Sequence, residues 1–244
     1  MFVIQSQTKN HFFNKQGITM SKILITGSKS GLGLCIANAL INAGHEVIGY
    51  DIKDGYDVRN PRFDGLDISN VDVLINCAAV NIINWLEDVD VEQWDKVIDV
   101  NAKGIYMMSK ELLPELIKTK GTILNIVSNA SHMPMTCSLA YNASKGAAEI
   151  MTRQLARELT KKHGITVFGI SPNKLAGTEM SFSIDKQVVH TRGWSMEEAQ
   201  RYQLAGILAG EETDPNSVAE FISFLLQDKA HHKALTGCII PYGL

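Results

Sequence analysis

Six short runs rich in Ile, Val and Leu recur along the chain: KILIT at 22–26, EVIGY at 46–50, VDVLIN at 71–76, TILNIV at 122–127, ITVFGI at 165–170 and CIIP at 238–241. Continuous apolar runs of this length suit strands that are covered on both faces, as in parallel sheets. Helix-like stretches lie between them at about 31–43, 92–119, 141–163 and 215–228, the last opening on TDPNSVAEF with a capping residue and a proline. This alternation predicts an α/β architecture, a doubly wound, mainly parallel sheet with helices on both faces. Residues 21–244 read as one domain, which 244 residues accommodate around a single core.

Charge and cysteine usage narrow the function. The formal net charge is −3 and Lys and Arg are scattered, so no basic stripe points to nucleic acid. No apolar run approaches the roughly 20 residues that a membrane-spanning helix needs, so no membrane association is expected. Cys35, Cys77, Cys137 and Cys238 lie far apart without a C-x-x-C pair, which disfavours a disulfide framework or a zinc site and fits a reducing, cytoplasmic setting. His132, His163 and His190 lack ligand spacing, so no metal is expected. Residues 1–20 read as an N-terminal extension outside the core, resembling neither a secretory signal nor a transit peptide.

The first apolar run leads directly into TGSKSGLG, residues 26–33, and then a helix. Glycines at a strand-to-helix turn let the backbone approach a pyrophosphate, whose charge is stabilised by free N–H groups and the helix N-terminus. The spacing is G-x-x-x-G-x-G through Gly27, Gly31 and Gly33, which departs from the G-x-G-x-x-G dinucleotide pattern. Asp51 ends the second run 20 residues beyond Gly31, where a carboxylate can accept hydrogen bonds from an adenosine ribose and disfavour a 2′-phosphate. Together these residues favour NAD over NADP.

A second constellation lies in LAYNASKGAAEIMTRQLARELTKKHG, residues 139–164. Tyr141 and Lys145 at i and i+4 share one helix face, with the small residues Ala143, Ser144 and Gly146 beside them. A cation about 4 Å from a phenol contributes roughly 4 kcal/mol at an effective dielectric near ~20. That is enough to bring a group that titrates near pH ~10 towards neutrality, where it serves as a proton donor and acceptor.

With these motifs in order, residues 21–243 resemble the short-chain dehydrogenases/reductases, the compact single-domain branch with a Rossmann-type fold. TGSKSGLG looks like that family's T-G-x-x-x-G-x-G turn, NCAA at 76–79 its N-N-A-G, and DV at 57–58 its adenine-binding pair. VNAKG carries its Asn at Asn101, IVSNAS its Ser at Ser128, and YNASK its Y-x-x-x-K at Tyr141 and Lys145, with the usual 13 residues from Ser128 to Tyr141. The resemblance implies hydride transfer between a nicotinamide and a secondary alcohol or ketone. Tyr141 would act as acid and base, Ser128 would hold the substrate oxygen, Lys145 would hold the nicotinamide ribose, and Asn101 would anchor a water. It also implies cofactor contacts from Gly27, Ser30, Gly31, Leu32, Gly33, Asp51, Asp57, Val58, Asn76, Ala78, Tyr141, Lys145, Pro172 and Thr178. A homodimer or homotetramer, joined through the helices at 92–119 and 141–163, is a further implication.

Three departures from the family are visible. Only 24 residues separate Asp51 from Asn76, too few for the usual extra strand and full helix. SPNKLAGTEM replaces the usual P-G, placing Asn173 where a left-handed glycine would stand. A substrate loop is expected at about 177–214, where His190, Arg192 and Trp194 hint at a polar or anionic substrate. Two other functions share parts of the pattern. A sugar-nucleotide epimerase or dehydratase normally has a longer C-terminal substrate domain, and a non-catalytic dinucleotide-binding regulator is expected to lack one of Ser128, Tyr141 and Lys145.

Overall fold

In the computed structural model, which describes residues 20–243, the apolar runs pair as six parallel strands: β1 (Lys22–Thr26), β2 (Glu46–Tyr50), β3 (Val73–Asn76), β4 (Thr122–Ile126), β5 (Thr166–Pro172) and β6 (Ile239–Tyr242). Apart from Met20, the N-terminal extension lies outside the described residues. The spatial order is β2-β1-β3-β4-β5-β6. Strands β3, β4 and β5 are buried throughout, whereas β2 and β6 at the two edges are only partly covered, matching their more mixed sequences.

Successive strand residues face opposite layers. Ile23, Ile25, Val73 and Ile75 pack against α1 (Gly31–Asn42) and α7 (Pro215–Leu226), whose Leu32, Ile36, Leu40 and Val218, Ile222 recur at helical spacing. Leu24, Leu74, Ile123 and Val167 meet α3 (Gly104–Thr119) and α4 (Leu139–His163) through Met108, Leu112, Leu116, Ala156 and Leu159. The remaining helices are α2 (Val91–Ile98), α5 (Glu179–Arg192), α6 (Met196–Leu204) and the short α8 (Lys229–Lys233). Pro215 occupies the first turn of α7 behind the Asp214 cap, as its sequence suggests. Among the described residues, no helix is long and apolar enough to cross a membrane.

The short link between Asp51 and Asn76 has a topological consequence. A doubly wound sheet of the order 3-2-1-4-5-6 carries a strand outside the second one. Here the chain makes a single 3-10 turn at Ile52–Asp54 and returns across the sheet, so β2 is the edge. Tyr50, Tyr56 and Phe63, with ring centroids 5.1 and 5.7 Å apart, give this return its own apolar cover. Between β1 and β3 the strand order reverses, β2 lying to one side of β1 and β3 to the other, which opens a crevice at the carboxyl ends of those strands.

A polar ladder crosses the buried middle of the sheet. Asn76 Nδ2 donates to Asn125 Oδ1 (2.8 Å), Asn125 Nδ2 to Thr152 Oγ1 (2.9 Å), and Thr152 Oγ1 to Ala148 O (2.7 Å). Removing the middle member strands a buried donor and a buried acceptor at once. Asn125→Ala is therefore expected to lower the unfolding free energy by about 2–4 kcal/mol, read by urea denaturation.

Candidate active site

The crevice is a cavity of about 670 Å³ whose floor is the turn after β1. Gly27 (φ +71°) and Gly31 (φ +48°) are in the left-handed region, and a Cβ on Gly33 would lie 2.0 Å from Gly27 O. Only glycine closes the turn this tightly. Ser30 precedes α1 without capping it through its side chain, so the first N–H groups of the helix remain directed at the cavity. Gly27, Ser30, Gly31, Leu32, Gly33, Ala78, Ser128, Tyr141, Lys145, Pro172 and Thr178 all line this one space. Thr178 caps α5 by accepting from Ser181 N (3.0 Å) and stands over Gly31.

Ser128 follows β4, and Tyr141 and Lys145 project from the first turns of α4. Ser128 Oγ accepts from Ala130 N (3.2 Å), which leaves its own hydrogen to donate. Lys145 is buried, donates to Ile126 O (2.9 Å), and holds Nζ 5.8 Å from the Tyr141 ring centroid. One expectation is corrected here. Burial raises the Tyr141 phenol above its ordinary value rather than lowering it, and the neighbouring Ser128 hydroxyl offsets part of that rise. The ammonium is turned to the Ile126 carbonyl, and burial pushes Lys145 itself down to about 8.

Five of the residues expected at the site do not line the cavity. Asn76 turns into the sheet interior, where its amide is held by Asn125, so it supports the strands rather than facing the crevice. Asp57 is engaged by Arg59 at 2.6–3.0 Å, and Val58 is buried against Gly104, so the shortened link folds this pair onto the body. Asp51 ends β2 nearly buried, its Oδ2 accepting from Lys29 N (2.9 Å) and its Oδ1 from Lys53 N (2.8 Å). Asn101 lies in a π-helical turn, Asp99–Lys103, between α2 and α3. Its Oδ1 accepts from Val80 N (2.8 Å), and its Nδ2 donates to Val80 O (2.9 Å) and Ser144 Oγ (3.0 Å). Both amide hydrogens are used, so a water at Asn101 would be held by an oxygen of that residue. The side chain itself clamps the loop after β3 to α4.

The expected substrate loop is largely helical. Helices α5 and α6 roof the cavity with Met180, Ile184, Tyr202 and Gln203. Their underside forms a small core of its own, Val188 and Ala199 with Ile83 and Cys137. Arg192, expected to contact substrate, lies 4.5 Å from the ring centres of both Trp194 and Tyr202 and bonds to Thr136, so it fastens the roof. His190 faces a separate shallow groove. Asn173 keeps ordinary backbone geometry, the non-glycine residues with positive φ among those described being Asn70, Lys120 and Cys137.

Two features have little sequence signal. Lys174, whose side chain is almost buried, bonds Asp185 (2.5 Å) and Glu212 (2.8 Å), and Gln203 also reaches Asp185 (2.6 Å). This network ties the end of β5 to the roof. Asn81 lines the cavity with both polar atoms of its amide buried and without a hydrogen-bond partner among the described residues. A polar residue two positions beyond NCAA was the available hint for Asn81. No group of three His, Cys, Asp or Glu placed to hold a metal occurs among the described residues.

Comparison with known proteins agrees with this geometry. A family profile described as short chain dehydrogenase matches residues 65–188. The chain is 29% identical over 236 residues to the 2-(S)-hydroxypropyl-CoM dehydrogenase 3 of Xanthobacter autotrophicus, covering 85% of this chain and 90% of that protein. It is 31% identical over 238 residues to the NAD-dependent glycerol dehydrogenase of Listeria innocua, covering 87% and 89%. A solved actinorhodin polyketide ketoreductase with NADPH superposes with a TM-score of 0.77 at 26% identity, over 91% of this chain and 95% of that one. The glycine turn, the parallel sheet and the paired Tyr141 and Lys145 thus stand in a chain that belongs to the short chain dehydrogenase family.

Proposed function

We propose that this protein is a nicotinamide-dependent oxidoreductase that interconverts a secondary alcohol and a ketone, with NAD preferred. The observation that carries the reading is the convergence of Ser128, Tyr141 and Lys145 in the cavity whose floor is the glycine turn. The turn fits a dinucleotide pyrophosphate, because it offers free N–H groups and leaves no room for a Cβ at Gly33. The nicotinamide, when bound, supplies the hydride acceptor or donor.

The chain supplies the proton and the positioning. Tyr141, protonated at neutral pH, donates to the carbonyl oxygen of a ketone, and its conjugate base takes the hydroxyl proton in the reverse direction. Ser128 uses its free hydrogen to hold the same oxygen. Lys145 spends one N–H on Ile126 O and keeps two for the ribose beside the nicotinamide. Asn101 is a positioning residue, since its bond to Ser144 Oγ, which in turn donates to Tyr141 O (2.7 Å), fixes the backbone that carries the phenol.

Asp51 supports NAD. Two backbone N–H groups fix its carboxylate at the end of β2, where a ribose 2′-hydroxyl would be accepted and a 2′-phosphate repelled. The two nearby lysines are already paired, Lys29 with Asp54 (3.3 Å) and Lys53 with Glu179 (3.6 Å). The Listeria innocua relative is named for NAD and the ketoreductase structure carries NADPH, so the reading for NAD rests on the chain's own carboxylate. Exposed Val91, Tyr106 and Ile150 on α2, α3 and α4 support a homodimer or homotetramer, and the free cysteines suit a reducing cytoplasm.

Tyr141→Phe is expected to keep the fold and cofactor affinity while losing nearly all turnover, followed by absorbance of the reduced nicotinamide. Comparable rates in mutant and wild type would overturn the assignment of the proton to Tyr141. For the cofactor, fluorescence titration is expected to give at least about a tenfold preference for NAD, a difference of about 1.4 kcal/mol, that shrinks in Asp51→Ala. Equal affinities, or tighter NADP binding, would contradict the role of Asp51.

A further inference from the structure

The part of the cavity beyond Ser128 and Tyr141 combines an apolar wall with an ion cluster that carries an excess of negative charge. Among the described residues, three charged side chains line the cavity: Lys145, Lys174 and Glu179. Lys145 is engaged by Ile126 O, and Glu179 pairs with Lys53 (3.6 Å), both exposed. Lys174 lies between two carboxylates, Asp185 (2.5 Å) and Glu212 (2.8 Å). One ammonium against two carboxylates leaves one negative charge unmatched. The side chains of Lys174 and Asp185 are less than a tenth exposed, so water and salt screen that excess only weakly. Arg192, the cation that the sequence offers to an anionic substrate, is not among the lining residues and is held by Trp194, Tyr202 and Thr136.

Where the wall is open, it is apolar. Met133 and Met135, on the loop between Ser128 and α4, line the cavity and are 45% and 41% exposed. Pro134 stands between them, and Met180, Ile184 and Ile207 come from the roof. Apolar side chains left open together on one cleft mark a ligand surface. Methionine suits that use, because its unbranched thioether repacks around apolar groups of different shape.

We propose that the substrate is an uncharged ketone or secondary alcohol with an apolar arm, and that the cluster of Lys174, Asp185 and Glu212 turns away anions such as carboxylates and phosphates. The proposal rests on the oxidoreductase reading above and deepens it. The reacting oxygen meets Ser128 and Tyr141, and the arm is covered by the methionine wall and the roof. Lys174 does not serve as an anion partner, because its charge is already more than matched. A like charge ~6 Å away at an effective dielectric of ~20 disfavours an anion by roughly a hundredfold, whereas each methylene buried on the wall favours binding by about fourfold.

The test uses three methyl ketones of nearly one shape, 5-methyl-2-hexanone, 4-oxopentanamide and 4-oxopentanoate, which end in an isopropyl group, a neutral amide and a carboxylate. They are compared by kcat/KM with reduced cofactor in wild type, Glu212→Gln and Met135→Lys. In wild type the isopropyl ketone is expected to exceed the amide, and the amide to exceed the carboxylate by at least about tenfold. Glu212→Gln removes the unmatched charge and is expected to narrow the amide-to-carboxylate ratio by at least about threefold. Met135→Lys places a cation on the open wall and is expected to lower the isopropyl ketone and raise the carboxylate. A second arm measures binding of the same three compounds to Tyr141→Phe with reduced cofactor, by calorimetry. A carboxylate accepted as well as the amide by wild type, an unchanged ratio in Glu212→Gln, or no detectable binding of the isopropyl ketone would overturn the proposal. The expected order in binding, with no turnover of any of the three by wild type, would strike the oxidoreductase reading and leave the preference for an uncharged, apolar ligand standing.

Discussion

The close packing of the turn after β1 against the turn after β3 is the constraint on which the rest of the site depends. A Cβ on Gly27 would lie 2.9 Å from Ala78 Cα, and one on Gly33 would overlap Gly27 O. Thr26 Oγ1 completes the contact by accepting from Cys77 N (2.9 Å) and Ala78 N (3.0 Å). One strand end, one helix N-terminus and the neighbouring strand end are thereby drawn together where the strand order reverses. The cavity is the space left above this junction, and its phosphate-binding character follows from the N–H groups that the junction leaves unpaired.

From this floor the order of the site spreads through Asn101. A π-helical turn breaks the long helical stretch and delivers one amide to the loop after β3 and to α4. Such turns recur at functional sites because the extra residue redirects a side chain without ending the helix. Loop, catalytic helix and roof then share one set of contacts, since the same loop bonds to α5 through Ile83. Burial has an electrostatic effect as well. With little water around Tyr141 and Lys145, the phenol is held protonated and the ammonium is brought down to about 8.

Much of this was legible in the sequence because it is local. Apolar runs gave the strands to within two residues, glycine spacing marked the turn, and helical spacing put Tyr141 and Lys145 on one face. What depends on side-chain direction was not legible. Asn76 adjoins the crevice in sequence but turns inward, because Asn125 on the next strand offers a buried partner. Arg192 reads as an anion contact, yet three aromatic rings and Thr136 surround it in space. The Tyr141 shift was misjudged because spacing gives a shared face, whereas burial and the Ile126 carbonyl decide where the ammonium points. The helices of the roof pack on Ile83 and Cys137 in a cluster that runs from Ile83 to Ala199, beyond any window of periodicity.

The central claim is that a carbon-bound hydrogen passes directly from substrate to nicotinamide in this cavity. It is tested most directly by incubating the protein with NAD and a substrate deuterated at the carbinol carbon, then reading C4 of the reduced nicotinamide by NMR. The account predicts deuterium on one face of C4 with no exchange into solvent. Reduced cofactor without deuterium at C4, or label divided equally between its two faces, would contradict it.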